Sequence, residues 1–118
     1  MAGEFIAGAL QVDMGSTNVG TAGTPVALSS DGGHNAADRI YWARFKPASA
    51  NSGSCFVGLS NVSSTHGWSI RAPAAGREDD QLELPIPPGG SVRLGDIFFD
   101  VATDNEDVDW AILYSAGG

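Results

Sequence analysis

The chain holds a single cysteine, Cys55, among its 118 residues, so no internal disulfide can staple it. Basic residues are few as well: 6 Lys and Arg stand against 14 Asp and Glu, a formal net charge of −8. A nucleic-acid binder needs a basic face, and this balance argues against direct contact with DNA or RNA. No apolar run approaches the roughly 20 residues that a membrane-spanning helix needs. The first residues lack the basic region and long apolar stretch of a secretion signal, which predicts manufacture in a cytosol.

The residue patterns of catalysis are missing too. No Gly-x-Ser-x-Gly elbow occurs, and no Gly-rich loop follows a strand to open a helix, so neither a hydrolase nor a nucleotide site is indicated. His34 and His66 each sit in a Gly- and Ser-rich turn, without a neighbouring Cys or paired His to give zinc spacing. Asp104, Glu106, Asp107 and Asp109 offer oxygen ligands, but the glycine and terminal glutamate of a calcium loop are absent; they read as hydrated acids. The expectation is a protein that is not an enzyme and needs no metal or cofactor.

What is present is β-sheet grammar. Gly contributes 16 residues, and no stretch of helical period is long enough to matter. In Gly53-Ser-Cys-Phe-Val-Gly-Leu-Ser-Asn-Val62, the residues Cys55, Val57 and Leu59 recur at every second position, so one row of side chains is expected to enter a core. On that row Cys55 reads as a buried thiol. Arg39 to Lys46 alternates too: Ile40 and Trp42 share a row with Arg44 and Lys46, and Tyr41, Ala43 and Phe45 form the other. Further strands are expected at Thr24 to Leu28, Trp68 to Arg71, Leu82 to Ile86, Val92 to Val101 with a kink at Gly95-Asp96, and Val108 to Tyr114. The stretch Arg77 to Gln81 reads as a solvated loop tip, and Pro87-Pro-Gly-Gly90 as a turn. Seven or eight short antiparallel strands at spacings near ten residues predict an all-β, jelly-roll-like sandwich. Residues 1–20, broken by repeated glycines, are expected to be an N-terminal arm or an edge segment, and residues 21–118 the sandwich itself.

The order of motifs carries a resemblance. Thr21-Ala-Gly-Thr-Pro-Val-Ala-Leu-Ser-Ser30 is followed by the Arg39 to Phe45 strand, then Cys55-Phe-Val-Gly-Leu-Ser-Asn-Val-Ser-Ser64. Pro88-Gly-Gly-Ser-Val92, Gly95-Asp-Ile-Phe-Phe-Asp-Val-Ala102 and a final strand from Val108 to Tyr114 complete the succession. It resembles the small virion proteins of tailed bacteriophages that decorate or cement the head. The likeness runs from Thr21 to Tyr114; the first 20 residues and the Arg77 to Gln81 stretch stand outside it.

That resemblance implies a homotrimer on the outer capsid surface, made in the bacterial cytoplasm and bound where subunits of the major capsid protein meet. It leaves a head-fibre base or a tail position as alternatives. Aromatic side chains dominate protein interfaces, so Tyr41, Trp42, Phe45 and Trp68 are the expected contact residues, while Trp110 and Phe99 are expected in the core. Phe5, Ile6 and Leu10 would be the apolar anchors of an N-terminal arm adding a strand to a neighbour's edge. A carbohydrate-binding module is the alternative from another class, since an exposed Trp42 or Trp68 beside Asp or Asn would suit a sugar.

Overall fold

A computed structural model describes residues 10–30, 34–74, 80–84, 86 and 89–115. It is an all-β sandwich of two antiparallel sheets. Among the described residues the strands are β1 (Gln11–Val19), β2 (Val26–Ala27), β3 (Arg39–Pro47), β4 (Cys55–Gly58), β5 (Trp68–Ile70), β6 (Leu82–Leu84), β7 (Val92–Arg93), β8 (Phe98–Val101) and β9 (Glu106–Ser115). The larger sheet runs β1-β9-β3-β6, with β7 also on β3, and the smaller runs β2-β8-β4-β5. Pairing is therefore nested. First strand meets last, second meets second-last, β3 meets β6 and β7, and β4 meets β5. A long antiparallel hairpin wound on itself in this way is the jelly roll.

The elements follow from local sequence. Pro87 and Pro88 cannot donate to a ladder, and the run from Leu82 to Val92 accordingly supplies two short strands, β6 and β7, rather than one. Gly95 kinks the next run as expected: Leu94–Asp96 form one 3₁₀ turn between β7 and β8. A side chain at position 95 would press on Ala36, whose Cβ lies 2.5 Å from where a glycine substituent would sit. Thr24 to Leu28 yields only the two-residue β2, because Leu28–Ser30 turn into a 3₁₀ segment that buries Leu28.

The core lies between the sheets. Phe45 of the large sheet meets Phe99 of the small one edge to face, ring centroids 5.5 Å apart. Around them pack Ile40, Val57, Leu94, Val101, Val108, Trp110 and Ile112, all buried. Trp110 and Phe99 are core residues, as the sequence implied. Edge-to-face pairs of this kind add roughly 0.5–1.5 kcal/mol to what area burial supplies.

Two expectations are corrected. Phe45 is 1% exposed and belongs to the core, not to an outer contact surface. The cause is a β-bulge: Ile40 pairs with Tyr114 and Trp42 with Leu113, so Tyr41 is an extra residue and the two rows exchange faces there. Ile40, Ala43 and Phe45 point inward, while Trp42, Arg44 and Lys46 lie on the outer side. Leu59 is the second correction. The β4 strand ends at Gly58, and Leu59 is 62% exposed in the turn beyond it.

Of the first 20 residues, 1–9 lie outside the described residues, and residues 11–19 stand at the edge of the larger sheet. They form β1, paired to β9 over its full length, with Val19 and Thr17 buried. Trp110 lies opposite Gly15, and its ring occupies the space where a side chain would stand. A Cβ at position 15 would fall 2.7 Å from Trp110 Cζ2, and the indole cannot swing away while its Nε1 donates to Thr17 Oγ1 at 3.0 Å. Gly15→Ala is expected to lower unfolding stability by about 1–2 kcal/mol, the overpacking cost exceeding the entropy gain of replacing glycine. A urea titration at unchanged slope reads this directly; an equal or higher midpoint contradicts it.

Candidate interaction surface

Strand β1 reverses the usual alternation. Its inward row is Asp13, Gly15, Thr17 and Val19, and its outward row opens with Val12 and Met14, which are 70% and 73% exposed. Leu10, just before the strand, continues that row and is half exposed. The inward polar positions all have uses. Gly15 makes room for Trp110, Thr17 accepts its N–H, and Asp13 reaches His34.

His34 closes that end of the sandwich. Its side chain is buried, with Nε2 2.7 Å from Asp13 Oδ2 and Nδ1 3.4 Å from Asp38 Oδ2. The ring stands edge-on to Tyr114, centroids 4.6 Å apart, and to Trp110. Asp38 also accepts the Asn35 backbone N–H. Sequence reasoning set this histidine aside because nothing in a Gly-rich turn reveals carboxylates brought from β1 and from four residues on.

Register extends the outward apolar row across the sheet. Val12 pairs with Leu113, which pairs on its other side with Trp42; Met14 pairs with Ala111, which pairs with Arg44. Ser16, Asp109 and Lys46 make the next, polar row. The result is a shallow concavity of about 640 Å³. One side of the surface is apolar (Val12, Met14, Trp42) and the other polar or charged (Ser16, Arg44, Lys46, Asp109). Trp42 is half-buried there, its Nε1 donating to Glu83 Oε2 at 2.9 Å, with the Arg44 guanidinium 5.4 Å from the ring centre. Sequence reasoning named Trp42 and Leu10 but missed Val12, Met14 and Leu113. The available signal was Leu10, Val12 and Met14 recurring at period two with Asp13 and Gly15 between them.

The other expected contact residues lie apart. Tyr41, at the bulge, is half-buried with its hydroxyl 3.2 Å from Ser115 Oγ. Trp68 is 55% exposed on the small sheet. It borders a second groove of about 300 Å³, lined among the described residues by Phe45, Val57, Leu59, Leu84, Val92 and Ile97 as well as Gly58. Phe45, though buried, forms part of the wall of both concavities. Phe5 and Ile6 lie outside the described residues.

The acids after β8 serve as ties rather than as free hydrated groups. Asp104 accepts the Ala22 N–H, Asp107 accepts from Asn18 Nδ2, and Asp109 accepts from Ser16 Oγ. Glu106 takes the N–H groups of Ser52 and Gly53 and the Ser52 hydroxyl. Buried Asp100 accepts from Gly23 and Val101. Among the described residues, no group of three His, Cys, Asp or Glu side chains is arranged to hold a metal ion. No helix there is long and apolar enough to cross a membrane.

No protein-family model, curated protein or solved structure matches this chain.

Two titrating groups give tests of this arrangement. Burial pushes the Cys55 thiol up to about 12, so a disulfide reagent at pH 8 should leave the native protein unmodified and react fully once urea unfolds it. Rapid native modification contradicts this. Burial by itself raises Glu106, but the hydrogen bonds from Ser52 and Gly53 outweigh it and hold the carboxyl below its ordinary value. A depressed carboxyl contributes stability that is present above the unfolded-state value and lost as pH falls through the folded-state value. Glu106→Gln should therefore cost stability at neutral pH and flatten the acid limb of a stability–pH profile. A profile parallel to that of the unmodified protein contradicts the assignment.

Proposed function

We propose that this chain is a structural protein of a tailed-bacteriophage virion, a decoration or cement protein that binds the outer head surface as a homotrimer and braces contacts between major capsid subunits. The observation that carries the reading is the inverted strand β1, which turns polar and small residues inward and leaves Leu10, Val12 and Met14 in water beside Leu113 and Trp42. A soluble domain seldom exposes a contiguous apolar patch unless something covers it. The jelly-roll winding and the order of motifs from Thr21 to Tyr114 support the virion setting.

The physical logic is that of a clamp. Such a protein adds contact area across a joint and performs no chemistry. Three linked copies on a symmetric junction gain effective concentration that one copy lacks, so weak individual contacts suffice. Charged residues beside an apolar patch, as Arg44, Lys46, Glu83 and Asp109 are here, set register and exclude wrong partners more than they add affinity.

Exposure of Trp68 is the observation that favours the carbohydrate alternative. Its surroundings favour it less: a sugar site places polar groups beside the aromatic ring, and the groove next to Trp68 is walled by apolar residues. Trp42 has a polar neighbour in Glu83, but Arg44 lies over its ring and competes with a stacked sugar.

The test is sedimentation with purified phage heads. The protein should co-sediment at a copy number that is a multiple of a capsid symmetry class. The double variant Val12→Asp, Met14→Asp should remain folded, since both side chains are exposed, and should bind heads at least about 30-fold more weakly, the loss of one interface hot spot or more. Equal binding by the variant removes this face from the reading; failure of the unmodified protein to sediment, with a monomeric mass and sugar binding, replaces it with the lectin.

A further inference from the structure

We propose that the apolar groove beside Trp68 receives the residue 1–9 segment of a second copy of this chain, with Phe5 and Ile6 as the inserted side chains. The inference rests on the homo-oligomeric part of the reading above and assigns the contact that builds it.

Three observations converge. The groove is lined by apolar residues contributed from both sheets: Phe45, Leu84 and Val92 on one side, Val57 and Trp68 on the other, with Leu59 and Ile97 beside them. Leu59 and Trp68 are 62% and 55% exposed, so its rim places two large apolar side chains in water. An apolar segment of matching chemistry lies within the same chain. Phe5-Ile6-Ala7 stand between Gly3 and Gly8, and nine residues reach at most about 30 Å when extended.

Topology then selects the occupant. The segment joins the sheet at Leu10, where β1 forms one edge of the order β1-β9-β3-β6. The groove opens beside β6 and β7, at the other edge of that sheet. To fill its own groove, the segment would have to carry Phe5, at most about 17 Å of chain from Leu10, across three strand spacings of about 4.8 Å each, almost fully extended. A neighbour whose β6 and β7 edge faces β1 is met directly. Donor on one edge and acceptor on the opposite edge make a heterologous, head-to-tail contact, and such contacts close into a ring when the rotation between copies permits. The chain's net charge of −8 opposes association elsewhere, and this contact joins surfaces of little charge: Glu4 is the one ionisable side chain in the segment, and among the described residues the groove lining carries none.

Complementation between two variants tests this. Phe5→Asp damages the donor and leaves the groove intact; Leu59→Asp damages the groove and leaves the donor intact. Leu59 is exposed, and circular dichroism verifies the fold of each variant. By light scattering after size exclusion, the unmodified chain should be a multimer and each variant a monomer of 12.1 kDa. Mixed at high concentration, the two should give a species of twice that mass and no larger ring, because one productive contact remains and the chain of contacts cannot continue. The proposal is overturned if the unmodified chain is a monomer, if Phe5→Asp keeps the full multimer mass, or if the mixture stays monomeric, as insertion into the chain's own groove would require. Its failure is distinguishable from failure of the virion reading: a multimer that complements in this way yet ignores phage heads upholds the contact and removes the capsid.

Discussion

The indole of Trp110 lying across Gly15 is the constraint from which much of the large sheet follows. The ring fills the inner face of β1 where a side chain would otherwise stand, and Thr17 fixes it by accepting its N–H. With the indole supplying the apolar volume, β1 has little need to contribute core residues before Val19. Its inward positions can be Asp13, Gly15 and Thr17, and its apolar residues fall on the other face. An exposed apolar row is thus tied to the packing of the core: moving Met14 inward opposite Ile112 by a one-residue slip would set Ser16 against Trp110 and Asn18 against Val108.

Nested pairing makes the acidic composition useful. Because first strand meets last, the turn between β8 and β9 lies beside the ends of β1 and of the loop that precedes β4. Backbone N–H groups in the irregular segments there need acceptors, and carboxylates are strong ones. Asp100, Asp104 and Glu106 bind the N–H groups of residues 22, 23, 52, 53 and 101. Asn51 continues the scheme by donating to the Asp107 carbonyl and accepting the Asp107 N–H, pairing with the strand as a neighbouring backbone would. Acids that look like a hydrated turn in the sequence act as the lacing of loops that carry no ladder of their own.

How far the sequence discloses the molecule depends on whether a signal is local. The strands β3, β4, β8 and β9 are legible because alternation is a property of neighbours, and the sandwich follows from their number and spacing. The exchange of faces at Tyr41 is not legible, since a bulge is set by the partner strand's register and nothing between Ile40 and Trp42 announces it. That single extra residue decides that Phe45 joins the core and Trp42 the outer face. Leu59 misleads for a related reason: its period matches Cys55 and Val57, but the strand stops one residue earlier. The His34 cluster joins Asp13, Asp38 and Tyr114 from separate parts of the chain, a convergence that only the folded topology creates.

Charge and exposure together narrow what such a molecule can do. A domain at −8 repels its own copies across most approaches, yet it holds two apolar surfaces in water, one on the outer face of β1, β9 and β3 and one beside Trp68. Electrostatic repulsion falls off within roughly 10 Å at moderate salt, whereas apolar burial acts on contact. Any association would therefore be directed to these surfaces and disfavoured elsewhere, which favours defined contacts over random aggregation. The two surfaces also differ in character. The outer face combines an apolar patch with Arg44, Lys46 and Asp109, suiting a larger protein whose own charges can answer them. Among the described residues the groove lining carries no ionisable side chain, which suits a short apolar segment, and under the reading proposed above one surface would join copies of the chain while the other would hold a different partner.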